Sequence, residues 1–259
     1  MRALLMEARG AIAPAVDGRD RWRAFRVADG ASPNVALLTE PDGNPKLAKS
    51  EIPTFGLSLA PANMAGLGNL CPAASGCVVP CLQSAGRGGF APVAAGRIRR
   101  TRFLDADPAG FVGAVEHELR RGVARFGEIL FRPNVLSDVA WEIVAPTWFE
   151  IPGVTLYDYT KRRDRAYSRP YAVALSAGAN MSLEEIRGHV DAGIRVSVAA
   201  DVPRVGKPKT WFGLPAVDAD LTDAWILGTG GAVGLLAPKG RAKNVRPAWN
   251  RFVKPGEAS

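Results

Sequence analysis

Cys71, Cys77 and Cys81 are the only thiols of the chain, and they fall within eleven residues at C-x5-C-x3-C spacing. The thiolate is the form of cysteine that binds metals and does redox chemistry, so three such groups close together read first as a ligand set. The pattern holds no C-x2-C pair and no local H-x3-H. A closed tetrahedral zinc site would therefore need a fourth ligand from His117, His189 or a distant carboxylate. An iron–sulfur cluster suits the count better, because three thiolates can hold a [3Fe-4S] cluster or a [4Fe-4S] cluster with one iron open to substrate. An open iron could act as a Lewis acid or as an electron donor in redox or radical chemistry. The bland alternative is three small hydrophobic side chains in a core.

The surroundings agree with a negatively charged cluster. Residues 60–100 are rich in Gly and Pro and contain no acidic residue. Gly76, Gly86, Gly88 and Gly89 leave backbone N–H groups able to approach sulfide, Ser84 can donate, Arg87 offsets charge, and Pro72 and Pro80 stiffen the chain beside two of the thiols.

A second set of candidates follows from the elements that must position them. After residue 100 the pattern becomes α/β. Asp107 with Pro108 predicts a helix start, and Phe111, Val112, Val115, Leu119 and Val123 recur at helical spacing. Strands are expected at 128–132, 154–157, 171–175, 195–200 and 232–236, a helix at 137–143, and another after the capping box Ser182-Leu183-Glu184-Glu185, ending at Gly193. Before the loop, 54–60 reads as a buried strand, 22–27 and 35–38 as short extended runs, and 41–45 as a turn. Strands alternating with helices are the mark of parallel βαβ crossovers. The fold class expected is α/β, a single domain over 1–259 with a (β/α) barrel-like core, an irregular or incomplete TIM barrel. Residues 1–53 form an N-terminal β/turn extension and 60–100 the cysteine loop.

In such folds the active site lies at the C-terminal strand ends. Polar residues stand there: Arg132 and Asn134, Asp158, Thr160 and Lys161, Ser176, Asp201, and Lys239. Of these, Arg132, Asn134, Asp158, Lys161 and Asp201 are the candidates for contact with a small anionic substrate. Asp138 reads as a helix cap, and neither histidine stands near a nucleophile, so a Ser-His-Asp or Cys-His hydrolase has no support.

Composition bounds the classes. The chain has 259 residues, 47% of them hydrophobic and 22% charged, with 33 Lys and Arg against 25 Asp and Glu. That apolar content excludes intrinsic disorder, and three cysteines exclude a disulfide framework. No window approaches the ~20 apolar residues of a membrane span, and Glu7 and Arg9 interrupt any leader, so a cytoplasmic protein with no membrane partner is expected. The net +8 is concentrated in 85–104, 161–169 and 239–254. Such clusters attract phosphate groups, which keeps a nucleic-acid-binding protein with structural zinc as the rival reading, although no recognised nucleic-acid module is present.

Three cysteines in a loop after an early strand of a β/α chain loosely resemble the radical S-adenosylmethionine proteins, whose cofactor that likeness would imply. The spacing departs from their C-x3-C-x2-C, and no glycine-rich motif for the methionine moiety is present. A more specific resemblance runs from about residue 50 to 253. The stretch Leu70-Cys71-Pro72 through Arg87-Gly88, Arg100-Thr101-Arg102-Phe103-Leu104, Tyr157-Asp158-Tyr159-Thr160-Lys161, Asp218-Ala219-Asp220-Leu221-Thr222-Asp223 and Val233 to Gly240 resemble the gene product 88 proteins of actinobacterial phages. This resemblance implies a phage-encoded protein made in the host cytoplasm and brings no reaction with it.

Overall fold

The helix that Asp107 and Pro108 predict is α3, Pro108–Phe126, in our computed structural model, and its cap is the expected one: the Asp107 carboxylate accepts from the Gly110 N–H at 2.9 Å. The structure describes residues 6–43, 50–74, 76–168, 171–244 and 253–256. Numbered with it in chain order, the other helices are α1 (Gly18–Ala28), α2 (Ala91–Ala106), α4 (Trp141–Val144), α5 (Arg163–Ser168) and α6 (Leu183–Asp191). The strands are β1 (Thr54–Gly56), β2 (Ile129–Arg132), β3 (Val154–Thr160), β4 (Ala172–Ser176), β5 (Arg195–Ala199), β6 (Thr210–Trp211), β7 (Leu214–Asp218) and β8 (Ala232–Leu236).

The protein is mixed α/β with an eight-stranded, mostly parallel sheet in the order β1-β2-β3-β4-β5-β8-β7-β6. Each neighbouring pair runs parallel except β6 with β7. Among the described residues β1 and β6 stand at the two ends of this order and do not pair, so the expected barrel is not formed and the sheet is open. One reason lies at β6, which returns antiparallel on β7 through Phe212 and Gly213. Both of these residues have positive φ, 48° and 74°, the conformation of a two-residue hairpin turn.

The chain divides into two compact units, Met1–Pro72 with Phe90–Leu156, and Ala73–Gly89 with Tyr157–Ser259. In the first, residues 22–27 are helical and not extended. Gly18, Trp22 and Arg26 recur every four residues along α1 and form its buried side. Gly18 lies so close to the backbone of Gly110, Gly113 and Ala114 that a Cβ there would collide with α3. Trp22, Phe103, Phe111, Trp141, Trp148 and Phe131 then form a continuous ring-to-ring chain through the core. Part of the cysteine loop is also helical: α2 begins at Ala91 with Pro92 in its first turn, where a missing N–H costs nothing. The helix expected at 137–143 shrinks to α4, and 35–38 is not a strand. Instead the Glu118 carboxylate accepts from the Leu37 and Leu38 amides at 2.7 and 2.8 Å.

In the second unit the sheet runs from the C-terminal half of β3 to β6, and Leu175, Val196, Val198, Val233 and Leu235 pack with Ile186 and Val190 of α6 and with Trp211 and Leu214. The capping box is formed as expected. Ser182 Oγ accepts from the Glu185 N–H at 3.1 Å, and the Glu185 carboxylate accepts from the Ser182 N–H at 2.7 Å. Gly193 closes the helix in the left-handed conformation at φ 79°. The strands β6 and β7 were not expected. They enter between β5 and β8 in sequence and place β8 between β5 and β7 in space.

Candidate binding site at the strand ends

In the second unit β3, β4, β5, β7 and β8 run the same way, so their C-terminal ends share one edge. The polar groups there form three sets. At the exits of β7 and β8, Asp218 and Asp220 meet two lysines. Lys207 Nζ lies 2.5 Å from Asp218 Oδ1 and 3.0 Å from Asp220 Oδ2, with its side chain wholly buried, and Lys239 Nζ lies 2.5 Å from Asp220 Oδ1. The Ala237 N–H also donates to Asp220, at 2.9 Å. Burial alone would raise the Asp220 carboxyl, but Lys239, the Ala237 amide and Lys207 outweigh it and hold the group at about 2. This corner thus keeps a fixed negative charge flanked by two ammonium groups.

At the exits of β3 and β4, Lys161 Nζ donates to Ser176 Oγ at 3.0 Å and lies 3.5 Å from the Ala177 carbonyl. The sequence places both residues at strand ends, and the structure brings them together. Asp158 stands on the same strand but is fully buried. Its carboxylate accepts from the Tyr159 N–H at 2.8 Å, from Tyr171 Oη at 3.2 Å and from Arg165 Nη2 at 3.3 Å. Tyr157 and Tyr159 alternate with it and project to the other face. There their hydroxyls donate to Asp223 at 3.2 and 2.6 Å, and Trp225 Nε1 donates to Tyr159 Oη at 3.1 Å. Asp201 follows β5 and is exposed, its N–H donating to the Lys254 carbonyl at 2.9 Å.

Arg132 and Asn134 belong to the first unit. Asn134 is 2% exposed and acts there as a hub of the fold. Its Oδ1 accepts from Ser137 Oγ at 2.7 Å, the Val139 N–H at 3.1 Å and Trp141 Nε1 at 3.2 Å, while Nδ2 donates to the Val139 carbonyl at 2.8 Å. Asp138, read as a cap, is buried beside it, with its N–H on the Leu70 carbonyl at 2.9 Å. Arg132 is buried, and Nη2 reaches the Val135 carbonyl at 3.4 Å.

The three cysteines form no disulfide, and each is half-buried. Cys71 Sγ accepts from the Ala62 N–H at 3.4 Å and donates to the Leu136 carbonyl at 3.3 Å. Ala62 itself sits at φ 49°, and its carbonyl takes the Leu70 N–H at 3.1 Å, closing a turn that aims the Ala62 amide at the sulfur. An alanine in the left-handed region costs about 1–2 kcal/mol, of which a glycine returns part. Ala62→Gly is therefore expected to raise stability by about 0.5–1 kcal/mol in thermal unfolding; a lower melting temperature would contradict the assigned turn. Beyond Cys77, the segment carrying Cys81 is held against the turn after β8. Ser84 Oγ donates to the Cys81 carbonyl at 2.8 Å and accepts from the Arg241 N–H at 3.4 Å, and Gly240, at φ 54°, packs so closely on Ala85 that a Cβ there would lie 3.0 Å from its backbone. Among the described residues no three His, Cys, Asp or Glu side chains are gathered closely enough to hold a metal ion.

Sequence reasoning missed Lys207 and the roles of Asp218, Asp220 and Asp223. One signal was present: in a strand, residues two apart share a face, so the Y-x-Y at 157–159 presents paired groups to one side, whereas Asp220 of the D-x-D lies in the turn after β7, where that rule does not apply. Lys207, in a turn-rich stretch, carried no such signal.

A family model described as Gene product 88 matches residues 36–251. No curated protein and no solved structure matches the chain.

Proposed function

We propose, for a chain that belongs to the gene product 88 family, that it is a phage-encoded, cytoplasmic iron–sulfur protein in which Cys71, Cys77 and Cys81 are the cluster ligands. The observation that carries this reading is the donor set: three cysteines outside any disulfide within eleven residues, in a segment without a single carboxylate side chain. The chemistry of the donors fits the group. A backbone N–H already points at Cys71 Sγ, the kind of contact that stabilises a thiolate and tunes a bound cluster. Cluster binding, thiol deprotonation and the gathering of the three sulfurs are then one equilibrium. When bound, the cluster would supply an electron or an open iron. The strand-end lysines, Lys161 above all, would attract an anionic substrate, with Asp201 exposed beside the exit of β5.

The nucleic-acid reading has less to stand on, because the basic clusters are largely engaged within the fold. Arg99 pairs with Asp29 at 2.5 Å, and Arg100 Nε donates to the Leu37 carbonyl at 2.6 Å. Arg163 pairs with Glu185 at 2.6 Å, Arg162 with Asp164 at 2.9 Å, and Lys239 with Asp220. Arg169, Arg246 and Arg251 lie outside the described residues.

The test is anaerobic purification with iron and sulfide analysis and electron paramagnetic resonance. A brown protein with stoichiometric iron and sulfide is expected, and Cys71→Ser, Cys77→Ser and Cys81→Ser should each lose the signal. A cluster retained in all three variants would overturn the ligand assignment. A colourless protein with stoichiometric zinc, whose affinity for DNA falls with salt, would overturn the reading in favour of its rival.

A further inference from the structure

We infer that the second unit carries a binding cavity for a small, flat, apolar anion, formed where the loop after β4 meets the chain beside the end of β5. Its volume is about 400 Å³, within the range of small-molecule sites. The walls are Ile186 of α6, Trp211, Phe212, Met181 and Val253. The Trp211 and Phe212 rings stand edge to face at 4.9 Å, and Trp211 is fixed by Nε1 donating to the Pro255 carbonyl at 3.3 Å. Phe212 is set by the hairpin, whose positive φ at this non-glycine residue is the kind of backbone feature that recurs at ligand clamps.

Charge decides the ligand class. Lys254 lines the cavity and is 8% exposed, while among the described residues the lining holds no Asp or Glu. Its Nζ donates to the Met181 carbonyl at 2.6 Å, which holds the ammonium in place. Lys254 is itself fixed in register beside β5: its N–H donates to the Ala199 carbonyl at 2.8 Å, and its carbonyl accepts from Asp201 at 2.9 Å. A positive charge in a mostly apolar cavity favours a ligand that combines a ring with a carboxylate or a phosphate. The location agrees, at the C-terminal strand ends where α/β sheets bind ligands. This inference stands on the cavity alone and does not depend on the cysteines holding a cluster.

Calorimetric titration of the full chain with 2-naphthoate tests it, with 2-naphthalenemethanol as the neutral counterpart. The carboxylate is expected to bind measurably and the alcohol about tenfold more weakly or worse. Lys254→Met should remove that preference. Ala179→Trp, at the half-buried rim, should abolish binding of both while leaving the circular dichroism spectrum and melting temperature unchanged. Equal binding of acid and alcohol to the wild type would overturn the role of Lys254. Undiminished naphthoate binding by a folded Ala179→Trp protein, or no binding to the wild type, would overturn the site.

Discussion

Arg165→Met is expected to lower the stability of the protein by about 3–5 kcal/mol. Arg165 and Asp158 are 2% and 0% exposed in their side chains and 3.3 Å apart, so the substitution strands a carboxylate in the interior. The Tyr159 amide and the Tyr171 hydroxyl, which also donate to Asp158, are neutral and cannot replace the charge. The double variant Asp158→Asn/Arg165→Met should recover most of the loss, because the charge goes with its counter-ion, the amide oxygen keeps the Tyr159 N–H, and the amide NH2 in place of Oδ2 can donate to the Tyr171 hydroxyl. Denaturant unfolding of the three proteins measures this directly. A loss below about 1 kcal/mol for Arg165→Met, or no recovery in the double variant, would show that the pair is solvated and available to a ligand.

That result bears on how much of the site was legible. Asp158 is a strand-end polar residue in the sequence, and strand ends are where ligands bind. What the linear pattern does not contain is the short helix α5, which folds Arg165 back onto it, with Tyr171 donating from just before β4. Asn134 illustrates the same limit: only the fold reveals three donors converging on its oxygen. Lys161 and Ser176, by contrast, are placed as expected, since each follows its own strand and parallel neighbours must bring their exits together.

The fold itself divides in the same way. Elements with strong local signals stand where the sequence puts them: the Asp107 cap, the capping box at Ser182, and the apolar strands around Leu130, Val173, Val196 and Val233. Helix α2 was hidden because its buried positions include Arg97 and Thr101, which break apolar periodicity. Thr101 is satisfied by the Arg97 carbonyl and by the Ala60 amide. Helix α1 was hidden because part of its contact with α3 is backbone against backbone at Gly18, and glycine adds nothing to a hydrophobic pattern. The basic charge, read as spread over three attractive patches, is in large part internal wiring. Arg100 is the clearest case: burial lowers it to about 10, partly offset by Glu118, and it donates to main-chain carbonyls.

Asp220, in the charged corner at the exits of β7 and β8, has a strong pH signature, and its acid limb is the second large effect expected. Its carboxyl lies at about 2 against an ordinary 3.8, so the folded protein binds this proton less readily than the unfolded chain. A depressed pKa contributes stability that is fully present above the unfolded value and lost as pH falls through the folded one. The window is therefore about pH 4 down to pH 2, and the contribution is about 2 kcal/mol, undiminished at neutral pH. Asp220→Asn should cost at least that much at pH 7, because Lys207, with its side chain wholly buried, would then share Asp218 alone. Below pH 2 the wild type and the variant should converge. Denaturant unfolding from pH 7 to pH 2 on both proteins gives the difference curve, and a difference that stays constant across the window would contradict the assigned titration. Lys239 is the strongest of the groups that lower Asp220, so Lys239→Met should reproduce a large part of the effect at low ionic strength and, because Lys239 is 31% exposed, less of it in high salt. The Ala237 amide and Lys207, which reaches both Asp218 and Asp220 from within the unit, hold the remainder.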